Sequence, residues 1–257
     1  MEDESNVTSI QVVFPEADNR QLRITVGPAK LRIAPGDGEL WVNGTYRDPT
    51  GRTPCRVTTD GAKARISQDH RWRGLLRNAP VFDLQLGKAQ PYGLTLESGA
   101  TDDSACDLGG LPLTSLDVRH GAGKLDLDFS APNPLPMDRF HLQAGAAETE
   151  VTNLANANAA EVTIEGGAAS FTLDFGGTPQ RDARVKINAG AASVEVRVPA
   201  TTAAKITPHA ILGSVDAGDG FMTREGAYWT EGAVAGGTPV LTIDASVALG
   251  SLRLRAT

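Results

Sequence analysis

Apolar and polar residues alternate along this chain in short runs that break at a glycine and then resume, and the break returns about every 22 to 23 residues. Gly99, Gly121, Gly145, Gly167 and Gly190 are separated by 22, 24, 22 and 23 residues. With each glycine as zero, positions −5 and −3 read Leu94/Leu96, Leu116/Val118, Phe140/Leu142, Val162/Ile164 and Val185/Ile187. Positions +4 and +6 read Leu125/Leu127, Thr149/Val151, Phe171/Leu173 and Val194/Val196 from Gly121 onward. A period of 2 on both sides of a glycine predicts a strand, a corner and a second strand, with alternate side chains turned inward. The residues between them are polar, as at Asp117, His141, Thr163 and Lys186, and predict a solvated outer wall.

A fixed period of this length is the mark of a solenoid, in which copies stack because no single copy can bury its own apolar face. The fold class expected is all-β: a β-solenoid of about eight to nine rungs, about 40 Å long at ~4.8 Å per rung. One continuous unit spans 1–257, with irregular rungs over 1–91 and regular ones over 92–257, interrupted by an insert at about 216–238. Leu22 to Ile33 fits the repeat around Gly27, 56–68 fits loosely, and 34–56 has no assignable register. The copies at Ile206…Gly213 and Ile243…Gly250 carry their glycine at the +2 place. Gly27, Gly99, Gly121, Gly145, Gly167 and Gly190 are read as structural corners, needing positive φ and no Cβ against the next layer.

Composition narrows the picture. The chain is 40% hydrophobic but only 5% aromatic, with 28 glycines, a palette for a narrow core and tight corners. A net charge of −7 argues against a nucleic-acid partner, because phosphate neutralisation needs clustered cations. Cys55 and Cys106 match no metal spacing and are expected to be reduced structural thiols rather than a disulfide. No apolar run approaches the ~18 residues of a membrane span, and Met1-Glu-Asp-Glu does not read as a secretion signal.

Three stretches carry a family resemblance: Leu113-Thr-Ser-Leu116-Asp-Val-Arg-His-Gly-Ala-Gly123, Leu154-Ala-Asn-Ala-Asn-Ala-Ala-Glu161-Val, and Phe171-Thr-Leu-Asp-Phe-Gly-Gly177. They resemble the toast-rack family of bacterial envelope proteins, most strongly from about 92 to 200. The resemblance implies a single-stranded right-handed β-helix, an adhesin-like role and a relation to envelope-stress proteins. It implies no catalytic residues. An envelope location is expected, with a leader or anchor lying outside this sequence; a cytoplasmic location is the alternative.

Candidate chemistry is sparse. Asp102, Asp103 and Asp107, near Glu97, form the densest acidic cluster and are the weak candidates for a metal such as calcium, although no calcium-loop spacing is present; a solvated loop is the simpler reading. Arg71, Trp72 and Arg73, flanked by His70 and Arg77, form a basic, aromatic patch suited to an anionic partner, or a plain surface connection. Asp117/His141 and Glu97/Arg119 fall at matching places in adjacent rungs and predict cross-rung ion pairs. Phe221, Tyr228 and Trp229 sit in the insert, as a carbohydrate or partner site or as a flap guarding an open strand edge. Arg253 and Arg255 are expected to guard the edge of a terminal last strand. No nucleophile or phosphate-loop motif occurs. The expected function is a non-enzymatic structural, adhesin-like or interaction module, with protein or cell-wall polysaccharide as partner and no cofactor. The alternatives are a polysaccharide-acting enzyme and a cytosolic regulatory scaffold.

Overall fold

The computed structural model describes residues 6–68 and 79–257. In chain order the strands are β1 (Val7–Val13), β2 (Gln21–Val26), β3 (Lys30–Pro35), β4 (Leu40–Arg47), β5 (Cys55–Asp60), β6 (Lys63–Gln68), β7 (Val81–Leu86) and β8 (Tyr92–Asp107). They continue as β9 (Leu113–Asp128), β10 (Met137–Thr152), β11 (Ala159–Gly166), β12 (Ser170–Asp174), β13 (Ala183–Val198), β14 (Ala204–Ala217), β15 (Phe221–Arg224) and β16 (Ala227–Thr230). A short helix, α1 (Glu231–Val234), precedes β17 (Leu241–Ala256). The chain is all-β, as its alternation predicts.

Register follows the repeat. β8, β9 and β10 pair in parallel, β10 pairs with β11 before the corner and with β12 after it, and both of those pair with β13. Leu96, Val118, Leu142, Ile164 and Ile187 are therefore successive partners in one column, each buried. Beyond the corner a second column runs Leu127, Val151, Leu173, Val196 and Leu254. Every member of the two columns is at most 3% exposed, so they form the inner seam of an aliphatic core whose burial stabilises the fold.

The first column continues upstream through Ile24 to Ile66, because β2 lies between β8 and β6. β3 lies between β8 and β7. Thus β6 and β7 together flank β2 and β3, although residues 69–80 separate them in sequence. Segment 56–68 is not a copy of the repeat as a whole: β5 and β6 form an antiparallel hairpin, and only β6 joins the parallel register. The unassigned stretch resolves as β4, antiparallel to both β1 and β7. Trp41, Tyr46 and Phe82 fill this end, where the ring pairs Phe14–Trp41 and Tyr46–Phe82 lie at 5.6 and 4.4 Å.

The downstream end corrects two expectations. The last strand is not terminal: β17 pairs in parallel with β13 on one side and β14 on the other. Arg253 and Arg255 therefore sit on an interior strand, and the outer position belongs to β14. The insert forms the β15–β16 hairpin, which covers β14 only at Lys205 and Ile206.

Of the two reasons expected for the corner glycines, positive φ does not apply. None of Gly27, Gly99, Gly121, Gly145, Gly167 and Gly190 has positive φ; that conformation occurs two places on, at Gly123 (φ 99) and Gly250 (φ 131). At Gly121 and Gly145 the neighbouring layer forbids a side chain. A Cβ on Gly121 would lie 2.6 Å from the Gly99 carbonyl oxygen, and one on Gly145 would press the Gly121 oxygen.

Candidate functional site

Because the corner glycines stack, the outside of the bend has no side chains to fill it. A groove of about 660 Å³ results, its floor formed by Gly27, Gly99, Gly121, Gly145 and Gly167. Thr25, Glu97, Arg119 and Gln143 line one flank. All four stand at the −2 place, where the alternation turns side chains outward. The groove runs across the strands, along the stacking direction. With layers ~4.8 Å apart, its five glycines span about 19 Å.

That flank carries a continuous line of charges. Arg23 Nη1 and Arg119 Nη1 lie 3.3 and 3.4 Å from Glu97 Oε1, and Thr25 Oγ1 donates to Glu97 Oε2 at 3.0 Å. Arg119 Nε is 3.1 Å from Asp117, whose other oxygen is 3.3 Å from His141 Nδ1. His141 Nε2 is 3.4 Å from Glu165. The cross-rung pairs expected at Asp117/His141 and Glu97/Arg119 are thus two links of a longer ladder. Half-exposed pairs add at most about 1 kcal/mol each, so the ladder shapes and polarises the groove more than it holds the fold.

Beneath the floor lies His120, 2% exposed, with Nδ1 2.7 Å from Ser98 Oγ. Its Nε2 makes no hydrogen bond of good geometry among the described residues, although the Gly123 backbone offsets part of the desolvation. Burial holds its pKa below the ordinary histidine value.

Comparison with known families decides where this architecture belongs. A family model described as the N-terminal domain of toast_rack, DUF2154, matches residues 1–135 and again 132–197. The chain belongs to the toast-rack family. This toast-rack chain is also similar to a solved candidate cell-adhesion protein from Clostridium sporogenes, at 15% identity over 98% of this chain and 99% of that one, with a TM-score of 0.48. A candidate adhesin from Bacteroides fragilis gives 11% identity, coverage of 96% and 95%, and a TM-score of 0.49. One from Parabacteroides distasonis gives 10%, 98% and 98%, and 0.43. No curated protein matches the chain.

The acidic residues of the toast-rack chain are employed separately. Asp103 faces Lys30 Nζ at 3.6 Å, and Asp107 accepts from the Ser130 hydroxyl and the Gly109 N–H at 2.7 and 2.8 Å. The Asp102 side chain lies outside the described set. Among the described residues no group of three or more histidines, cysteines or carboxylates is placed to hold a metal. Arg71, Trp72 and Arg73, with His70 and Arg77, also lie outside the described residues. Tyr228 packs on Phe221 within the hairpin at 6.1 Å, and Lys205 Nζ stands 5.3 Å from the Trp229 ring, so Trp229 helps fasten the hairpin to β14. Cys55 and Cys106 are free thiols, pushed up by burial to about 11 and about 12. Among the described residues no helix is long and apolar enough to cross a membrane. Sequence reading did not find the groove. The signal that could have shown it is the pairing of a bare glycine column with polar −2 residues at Thr25, Glu97, Arg119 and Gln143.

Proposed function

We propose that this chain is a non-catalytic, adhesin-like interaction module of the bacterial cell envelope, built as a right-handed β-solenoid of eight to nine rungs in one continuous domain. Its corner groove holds an extended polar polymer, with cell-wall polysaccharide as the partner. The observation that carries this reading is the groove itself. It is shallow, crosses the layers, and sets a floor of bare glycine backbone beside the Glu97, Arg119 and Gln143 flank. A narrow polymer lying along the stacking axis meets the same geometry at every layer, and polar groups at the rim fix its orientation. The family membership and the repeat support the solenoid, and the dispersal of the carboxylates supports binding without turnover.

The test exploits a difference among the corner glycines. At Gly167 a Cβ would stand 3.5 Å from its nearest neighbour, so Gly167→Leu adds a side chain at the floor with no clash at its Cβ, and unchanged melting is the folding control. Sedimentation of the protein with purified cell-wall polysaccharide should be lost in Gly167→Leu and weakened about tenfold in an Arg119→Ala, Gln143→Ala double variant. Binding unchanged by both variants, or hydrolysis of the polysaccharide by the wild type, would overturn the proposal.

A further inference from the structure

We infer that the outer edge of β14 joins a second copy of this chain, edge to edge about a two-fold axis through the corner at Ile211 and Leu212. β16 occupies the outer side of β14 only at Lys205 and Ile206, so that among the described residues the stretch 207–217 pairs with β17 on one side and with no strand on the other. That stretch, Thr-Pro-His-Ala-Ile-Leu-Gly-Ser-Val-Asp-Ala, has two titratable side chains, His209 and Asp216. Ile211 and Leu212 are 79% and 72% exposed, and Leu249 beside them on β17 is 54% exposed. An unpaired edge with exposed aliphatics and little charge is a template for another strand. The core also ends open here: Pro208, Ala210, Val215 and Ala217, which continue the columns of Ala245, Val247, Leu252 and Leu254, are only partly buried.

The arch of β14 is complementary to itself. Ala210 and Gly213 flank the two outward corner residues symmetrically, so an antiparallel copy sets Ile211 opposite the partner's Leu212. Pro208 then faces the partner's Val215, core position on core position. Lateral direction agrees. The Ala204 N–H points away from β17, to Thr230, whereas the Gly218 N–H bonds back to Leu254 on β17. Alternation from these two anchors turns Pro208, Ala210, Gly213 and Val215 toward the free edge, where an antiparallel neighbour exchanges both bonds between Ala210 and Gly213 but, since Pro208 has no N–H, takes only the Val215 N–H to the Pro208 carbonyl. No like charges come opposite: His209 meets the partner's Ser214, and Asp216 meets the partner's Thr207. Being isologous, the contact closes at two copies, because the opposite end of the molecule presents the different strands β1 and β5.

Sedimentation equilibrium from about 5 to about 500 µM covers the range of weak edge contacts. The wild type should form a dimer that Ile211→Glu and Leu212→Lys each weaken about tenfold or more, with unchanged melting as the folding control. Val57→Lys, at an exposed site on β5, should leave it intact. A double Ile211→Cys, Leu212→Cys variant should cross-link into dimers under mild oxidation, which reads the register. A monomeric wild type at the highest concentration would overturn the inference. So would a dimer indifferent to both charges, one broken by Val57→Lys, or a cysteine pair that does not cross-link.

Discussion

Replacing the corner glycines one at a time by alanine should split them into two classes that sequence alone cannot distinguish. A Cβ at Gly121 would lie 2.6 Å from the Gly99 oxygen, whereas an ordinary contact begins near 3.4 Å, so about 0.8 Å must be found between layers. The clash at Gly145 with the Gly121 oxygen is worse. Both obstacles are backbone atoms in a hydrogen-bonded stack, which cannot swing aside as a side chain would. Overpacking of this size destabilises by about 1–3 kcal/mol. At Gly99 and Gly167 the nearest atoms stand 3.6 and 3.5 Å away, and φ is not positive. There alanine only restricts the unfolded chain, and stabilises by about 0.4–1 kcal/mol. For a chain of this length each kcal/mol moves the melting temperature by about 2–4 °C. Thermal and urea unfolding of the four variants should place Gly99→Ala and Gly167→Ala at or above the wild type, and Gly121→Ala and Gly145→Ala below it. A Gly145→Ala protein as stable as Gly167→Ala would refute the steric account of the corner.

Stability should fall with acid through His120. Its folded pKa is depressed by burial, so the unfolded chain binds the proton more readily. The contribution is complete above the unfolded value of about 6.5 and is lost as pH drops through it, by up to about 1.4 kcal/mol per pH unit. Urea titrations at about pH 8 and pH 5.5 should show a decline that is smaller in His120→Leu; equal slopes would contradict the assignment. Asn156 is 6% exposed, donates to the Phe129 carbonyl at 2.8 Å and accepts from the Thr178 N–H at 2.8 Å. Asn156→Ala strands the buried Phe129 carbonyl and removes the acceptor of the exposed Thr178 N–H, and should destabilise by about 1–3 kcal/mol, with amide exchange accelerated first around residues 129 and 178; a loss below about 0.5 kcal/mol would show that water replaces the amide.

The period carries the regular part of the fold because each layer repeats the same inward positions, so Val118, Leu142, Ile164 and Ile187 align from their spacing alone. Departures arose where spacing stops encoding adjacency. β6 and β7 flank one layer, but the residues between Gln68 and Val81 hide that from any fixed period. β17 enters between β13 and β14 because both later copies carry the same pattern, and a pattern does not state the order of stacking. Antiparallel β4 has a neighbour on each side whose registers run opposite to the repeat. The acidic residues near 102–107 looked clustered in sequence, yet alternation sends Asp103 to Lys30 and the turn takes Asp107 to Ser130. The groove was hidden for another reason: it is made of missing side chains in different layers.

That last point separates packing from function within one column. At Gly121 and Gly145 the stack itself excludes a Cβ, so glycine there explains itself. At Gly99 and Gly167 it does not: there is room, the backbone is ordinary, and alanine would be more favourable for folding. Glycine in those two places is what a clear floor requires, since a Cβ there points along the stack onto the preceding layer's glycine. Further along the column, Ala248 and Ile211 stand where the groove's lining no longer reaches. Past the floor the column runs through one more glycine, Gly190, before larger residues return at Ala248 and Ile211 on the way to the free edge, so the bare stretch and the apolar corner are different surfaces of one column. A ligand held by the first therefore leaves the second open for another copy.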